Sequence, residues 1–198
     1  MAEDRAIDRL EGTAIPLRGD NIDTDRIIPA RYLKSVTFEG LGDHVFEDDR
    51  TSMQDHPFAS PQYRGASVLL ANKNFGSGSS REHAPQALKR WGIRVCVGES
   101  FSEIFRGNSL AIGLPCLTAA PNDVELVMRC VEDSPGTRMS VSVSALELQF
   151  DDKTLTLELP PGMRDALLNG LWDATGLLLE KFEDVRATAA GLPYIAGF

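Results

Sequence analysis

The chain has no run of about 18 consecutive apolar residues, so no segment is suited to cross a bilayer as a helix. Its opening residues, Met1 to Gly12, are charged and lack the apolar stretch of a secretory signal, which points to a cytoplasmic protein. Cysteine is scarce: the 3 residues, Cys96, Cys116 and Cys130, lie far apart in separate apolar stretches. That pattern argues against a disulfide framework and predicts buried thiols. No C-x-x-C pair occurs, and His44, His56 and His83 do not cluster with the cysteines. A metal or iron–sulfur site built by this chain alone is therefore not expected. Positive charge is also short, with 20 Lys and Arg against 29 Asp and Glu, a net charge of -9 and a pI near 4.8. Nucleic acid and anionic membranes are repelled by such a balance and are not expected partners. Small anions need only a few local cations, and Arg81, with Lys34 and Arg106, offers candidates.

Two glycine-rich signatures are missing as well. No lysine follows the glycines at the spacing of a phosphate-binding loop, and Ser79 has Ser77 and Arg81 where a hydrolase elbow needs glycines. What stands there instead is Phe75-Gly76-Ser77-Gly78-Ser79-Ser80-Arg81-Glu82-His83-Ala84. It falls between an apolar run, Ser67 to Ala71, read as a buried strand, and a helical stretch from Ala84 to Trp91. At such a junction free backbone N–H groups and the positive end of the helix dipole favour an anion, and a guanidinium adds a fork for a planar carboxylate. Ser79 and Glu82 also match the spacing of a capping box, while Pro85 favours a later helix start with Ser79 to Ala84 as an irregular loop. A plain Gly/Ser turn with no ligand is the alternative on spacing alone.

With 198 residues, 42% hydrophobic and 25% charged, the chain is long enough for a proper core and has the composition of a soluble globular protein. One domain spanning residues 1–198 is the simplest organisation. Residues 12–18 read as a strand with an edge proline, followed by the acidic run Asn21-Ile22-Asp23-Thr24-Asp25. From Ala30 to Gln62 periodicity is lost, which marks a long irregular segment of the kind used as a flexible binding loop. Strand, loop, helix, strand, helix and strand then alternate from Ser67 to Ala119, the pattern of parallel strands with crossover helices. A helix over Pro121 to Ser134 and a hairpin around Asp151-Asp152-Lys153 follow. Helices at about Pro161 to Asn169 and Asp173 to Ala189 form a C-terminal extension over residues 160–198. The fold class is α/β with a mixed sheet and flanking helices.

Several of these segments, taken in order, carry a resemblance over nearly the whole chain. They are Asn21 to Ala30, Gly65 to Leu69, Phe75 to Pro85, Ser100-Phe101-Ser102-Glu103-Ile104-Phe105-Arg106-Gly107-Asn108-Ser109, and Asn169 to Asp173. The sequence resembles the small subunits of bacterial 3-isopropylmalate dehydratases (isopropylmalate isomerases) of the aconitase superfamily. The resemblance implies the swivelling β/β/α domain, like aconitase domain 4, made as a separate polypeptide. It implies a large partner subunit carrying a [4Fe-4S] cluster, no cofactor or metal on this chain, and a small hydroxy-dicarboxylate substrate. Ser79 would be the catalytic base, Ser80 and Arg81 would hold substrate carboxylate, and Asp25 would line the site. Tyr32, Leu33, Lys34 and Ser35 fall where the superfamily discriminates the substrate's substituent, and His83 and Glu82 are candidates for supporting roles. The departures are Ser77, where common bacterial relatives have cysteine, and Lys34, whose charge leaves the substrate open. The implied function is interconversion of 2- and 3-isopropylmalate in leucine biosynthesis. Related hydro-lyases acting on citraconate, maleate, dimethylmalate or homoaconitate, and a non-catalytic anion-binding relative, remain alternatives.

Overall fold

The computed structural model describes residues 5–34, 37–79 and 81–195. Its central strand, β1 (Arg9–Leu17), has two kinds of neighbour. Ala14 to Leu17 pair in parallel with β2 (Val68–Ala71), whereas Arg9 to Thr13 pair antiparallel with β5 (Arg138–Ser142). β3 (Val95–Gly98) and β4 (Cys116–Thr118) extend the parallel side, and β6 (Glu147–Phe150) and β7 (Lys153–Thr156) extend the antiparallel side. Among the described residues the sheet order is β4-β3-β2-β1-β5-β6-β7. Every residue of β2 and β3 is buried, as expected for parallel strands covered on both faces, while β5 and β6 alternate and bury one face.

The two outer ends of this sheet meet. Thr118 and Glu158 form an antiparallel bridge, with Thr118 N donating to Glu158 O at 2.9 Å and Glu158 N to Thr118 O at 2.7 Å. The sheet therefore curls until its edges join, which satisfies backbone groups that an open edge would expose. Pro16 differs from its expected place at an edge: it lies in the central strand. It is tolerated because pairing with β5 stops at Thr13, so that Pro16 has a strand neighbour, β2, on one side only.

Helices α3 (His83–Trp91) and α4 (Glu103–Ala111) are the crossovers of the parallel half, and α5 (Pro121–Asp133) packs against β1, β2 and β3 through Val124, Val127, Met128 and Val131. α6 (Pro161–Leu168) follows the hairpin. The helix expected over Asp173 to Ala189 is two helices, α7 (Ala174–Glu180) and α8 (Phe182–Ala190), because Lys181 leaves helical geometry at φ -107° and ψ 34°. Trp172 ties this part to the body, its Nε1 donating to Arg5 O at 2.8 Å. Cys96 and Cys116 are buried in register on β3 and β4, where a hydrogen bond with Cys116 and burial push the Cys96 thiol well up. Cys130 departs from the expectation of burial: it is half-buried, with Sγ 3.5 Å from Asp151 Oδ2.

The described residues between Ala30 and Gln62 include a series of short helices. A 3-10 turn over Ala30–Lys34 follows α1 (Thr24–Ile27), a second covers Leu41–His44, and α2 (Glu47–Ser52) leads to further turns at Pro57–Ala59 and Pro61–Tyr63. Leu41, Val45, Phe46 and Phe58 are buried, and the Leu41–His44 turn packs on α3. His56 is 4% exposed and accepts a hydrogen bond on Nδ1 from Phe58 N at 3.3 Å, so its hydrogen is on Nε2. Phe46 and Phe58 lie against the ring at 5.1 and 5.9 Å.

From β2 to α3 the chain runs over an aromatic platform. Phe75 meets Phe105 edge-on at 5.2 Å, and Phe101 stacks on Phe105 at 6.3 Å. Gly76, at φ 75°, passes so close to this platform that a β-carbon there would lie 2.2 Å from Phe105 Cγ. Gly78, at φ 97°, has its nearest such neighbour, Thr24 Oγ1, at 3.4 Å.

Two stability measurements follow from these environments. Burial depresses the pKa of His56 below its ordinary 6.5. Above that pH the ring is neutral whether folded or unfolded; below it the unfolded chain takes up a proton that the folded chain resists, so stability falls with pH by up to about 1.4 kcal/mol per unit. His56→Asn keeps an acceptor for Phe58 N and removes the titration, so urea midpoints at pH 7.5 and about 5.5 should differ less in the variant than in the wild type. An equal acid loss in both would refute this. Gly76→Ala combines overlap with strain and should cost at least about 3 kcal/mol, whereas Gly78→Ala meets strain alone at about 1–2 kcal/mol. Denaturant unfolding of the two variants measures the difference.

Candidate active site

Residues Ile22 to Thr24 run alongside Gly76 to Ser79. Gly76 N donates to Ile22 O at 2.8 Å, and Thr24 N donates to Ser77 O at 2.9 Å. Thr24, buried, also points Oγ1 at Ser79 O, 3.4 Å away. On the other side Phe75 N donates to Ser100 O and Ser102 N to Phe75 O, both at 3.0 Å, while Ser102 Oγ donates to Gly76 O at 2.6 Å. Asn21 and Asn74, both with positive φ, are joined by a 2.9 Å bond between their side chains. The glycine-rich loop is thus held from both flanks by main-chain hydrogen bonds, which place it beyond the carboxyl ends of the parallel strands. In α/β folds with parallel strands, that end is the usual location of binding sites.

The Asp23-Thr24-Asp25 run divides its work. Asp23 caps α1, its Oδ1 accepting from Arg26 N at 2.8 Å. Asp25, half-exposed, forms an ion pair with Arg81 Nη1. Two segments 56 residues apart in sequence therefore supply a paired carboxylate and guanidinium at one place. Arg81 keeps 19% of its side chain exposed and carries more N–H donors than the contact with Asp25 uses. Ser79 is exposed on the same loop, and its carbonyl accepts from Arg81 N at 2.8 Å.

The capping box read from Ser79 and Glu82 does not form. α3 begins at His83 with Glu82 as its N-cap and no capping bond from that side chain. The Glu82 carboxylate instead accepts from Gln86 Nε2 at 2.9 Å, so it turns along the helix rather than back to the loop. Pro85 sits in the first turn of α3, where a missing N–H breaks no helical bond. The dipole of the nine-residue α3 then directs its positive end toward Arg81 and Ser79. The His83 ring is half-buried edge-on against Phe38 at 5.1 Å, with no partner for Nε2 among the described residues.

Tyr32, Leu33 and Lys34 stand on the separate Ala30–Lys34 turn, with Tyr32 and Leu33 half-buried and Lys34 exposed. Ser35 and Ser80 lie outside the described residues. Thr24 and Glu47 were not found by reading the sequence. Thr24 acts through its burial, and Glu47 through its contact with Tyr32, 15 residues away, which leaves no local pattern.

Chemically, an exposed hydroxyl beside a guanidinium and a helix head suits binding of a carboxylate and stabilisation of negative charge. Among the described residues no group of three or more His, Cys, Asp or Glu is placed to hold a metal ion, and Cys96 and Cys116 are buried in the sheet. No described helix is long and apolar enough to cross a membrane.

Comparison with known proteins agrees with this architecture. The model of the aconitase C-terminal domain matches residues 5–122. A Thermus thermophilus protein named 3-isopropylmalate dehydratase small subunit is 48% identical over 189 residues, covering 93% of this chain and 94% of the relative. A Synechocystis protein of the same name is 46% identical over 190 residues, covering 96% and 95%. The crystal structure of a 3-isopropylmalate dehydratase from Methanocaldococcus jannaschii superposes with a TM-score of 0.64 at 27% identity, over 87% of this chain and 99% of that one. With a curled mixed sheet, an aconitase-type domain and near-full-length relatives, this chain belongs to the 3-isopropylmalate dehydratase small-subunit family of the aconitase superfamily.

Proposed function

We propose that this chain is the small subunit of a cytoplasmic isopropylmalate isomerase, interconverting 2- and 3-isopropylmalate by loss and return of water in leucine biosynthesis, and active only with a large subunit. The names of the relatives support the reaction and the partner. The observation that carries the residue roles is the pairing of Arg81 with Asp25 beside the exposed Ser79 at the head of α3.

Dehydration of a hydroxy diacid removes a weakly acidic C–H proton beside a carboxylate and expels hydroxide from the neighbouring carbon. Ser79 Oγ takes that proton. A serine hydroxyl is a poor base unless its alkoxide is stabilised, and the Arg81 charge with loop N–H groups at the helix head does so. Arg81, with Ser80, binds the carboxylate next to the reacting carbon, where negative charge grows as the proton leaves. Asp25 fixes the guanidinium and lines the pocket. Tyr32, Leu33, Lys34 and Ser35 meet the substrate's substituent. A [4Fe-4S] cluster, which we expect on the large subunit, would supply the Lewis acid for the departing hydroxide.

The purified chain should be inactive alone and gain activity when mixed with a cluster-bearing large subunit. Ser79→Ala should lower kcat of that complex by roughly 10²- to 10⁴-fold with complex formation intact. A Ser79→Ala complex at wild-type rate would remove the assignment of the base; turnover by the chain alone would remove the division between subunits.

A further inference from the structure

The turn that bears Tyr32, Leu33 and Lys34 is fastened to α2 through two carboxylates, Glu47 and Asp48, of which Glu47 alone holds Tyr32. Glu47 Oε2 accepts from the Tyr32 hydroxyl and lies 2.7 Å from His44 Nδ1, while Glu47 Oε1 is 3.2 Å from Arg31 Nη2. The Tyr32 ring stacks on His44 with centroids 4.1 Å apart, and Arg31 lies over the Tyr32 ring, its Cζ 5.0 Å from the centroid. Arg31 is also bidentate to Asp48, at 2.7 and 3.0 Å. Hydrogen bonding from Tyr32, foremost, holds the Glu47 carboxyl below its usual range, and the same bond raises the Tyr32 phenol.

The platform on which Glu47 sits is firm. α2 begins directly after Phe46, which is buried and donates its N–H to Ile27 O at 2.9 Å. Asp49, two residues beyond Glu47, binds Arg26 Nε at 2.9 Å and Nη2 at 2.8 Å, which joins α2 to α1 and so to the Asp23-Thr24-Asp25 run. A carboxylate on this platform therefore fixes the turn relative to the loop of Ser79 and Arg81.

We propose that Glu47 is a positioning residue for substrate recognition, holding the Ala30–Lys34 turn ordered before substrate arrives. The proposal rests on the reading that Tyr32 to Ser35 meet the substrate. A turn fixed in advance spares the binding step its ordering entropy. Without Glu47 the turn keeps only the exposed Arg31–Asp48 pair and Tyr32 is released, so the substrate must order it, which weakens binding and leaves the proton-transfer groups, on a different element, untouched. The effect should thus fall on KM rather than kcat.

In the reconstituted two-subunit enzyme, Glu47→Ala should raise KM for isopropylmalate about five- to tenfold with kcat within about twofold, and Glu47→Gln, which keeps an acceptor for Tyr32, should recover part of the loss. Hydrogen exchange on the isolated chain should show the amides of residues 31–34 faster in Glu47→Ala, with α3 unchanged. An unchanged KM, a fall in kcat at constant KM, or unchanged exchange in the turn overturns the proposal. Tyr32→Ala separates the two ideas: if it raises KM and Glu47→Ala does not, the positioning role alone fails. If Tyr32→Ala leaves KM unchanged, the turn does not meet substrate, and the positioning role fails with that reading.

Discussion

Gly76 lies where the main chain crosses the Phe105 ring with no room for a β-carbon, and the rest of the site is built from that crossing. The close approach lets Gly76 N reach Ile22 O and Gly76 O reach the Ser102 hydroxyl, at 2.8 and 2.6 Å. Those two bonds lock the loop between the Asn21 to Asp25 run and the start of α4. A bulkier residue would lift the loop from the aromatic platform, and both bonds would lengthen together. Buried aromatic packing thus sets the position of exposed polar groups, because the platform is rigid and the hydrogen bonds are short and directional.

The second consequence is electrostatic. A chain with net charge of -9 is an unpromising host for a dicarboxylate, yet the field at one loop is set by what lies within a few ångströms. Arg81 and the head of α3 provide local positive charge. Asp25 cancels part of it but orients the guanidinium, so the pair exchanges affinity for geometry. Asp23, which would add a second negative charge at the same place, is instead used at the head of α1, where a carboxylate is stabilised by helix N–H groups. On the proposed reading, this division of tasks between the two aspartates leaves the anion site usable.

Much of the scaffold was legible in the sequence because the signals are local. The apolar runs of β2 and β3, the crossover helices and the hairpin at Asp151-Asp152-Lys153 each follow from periodicity and turn chemistry over a few residues. What could not be read depends on distant pairing. Pro16 suits an edge strand until one knows that β5 leaves β1 at Thr13, and nothing near Thr118 announces Glu158 as its partner. The capping box misled for a related reason: the Ser79 to Glu82 spacing is right, but the loop's course is fixed by Ile22 and Thr24 rather than by the helix it precedes. At the site, the Gly-Ser-Ser-Arg stretch and the Asp-Thr-Asp run could be singled out, but their meeting is a property of the sheet. The compact folding of Ala30 to Gln62 was hidden because short turns with buried Phe46 and Phe58 carry no period.

Ser79 and Asp25 stand at the surface, and on the proposed reading this is a physical reason for a second subunit beyond the need for iron. In water, the attraction between an alkoxide and a guanidinium is screened, and a serine so placed remains a hydroxyl. The same groups under a low-dielectric cover interact several times more strongly, and water no longer competes for the carboxylate. Ser79 is exposed and Asp25 half-exposed in this chain, so on the proposed reading the cover comes from the large subunit. Docking of the large subunit would then turn on the base as well as bring the Lewis acid. Both halves of the reaction become possible in the same event, and a free small subunit is protected from unproductive proton transfer by its own solvent.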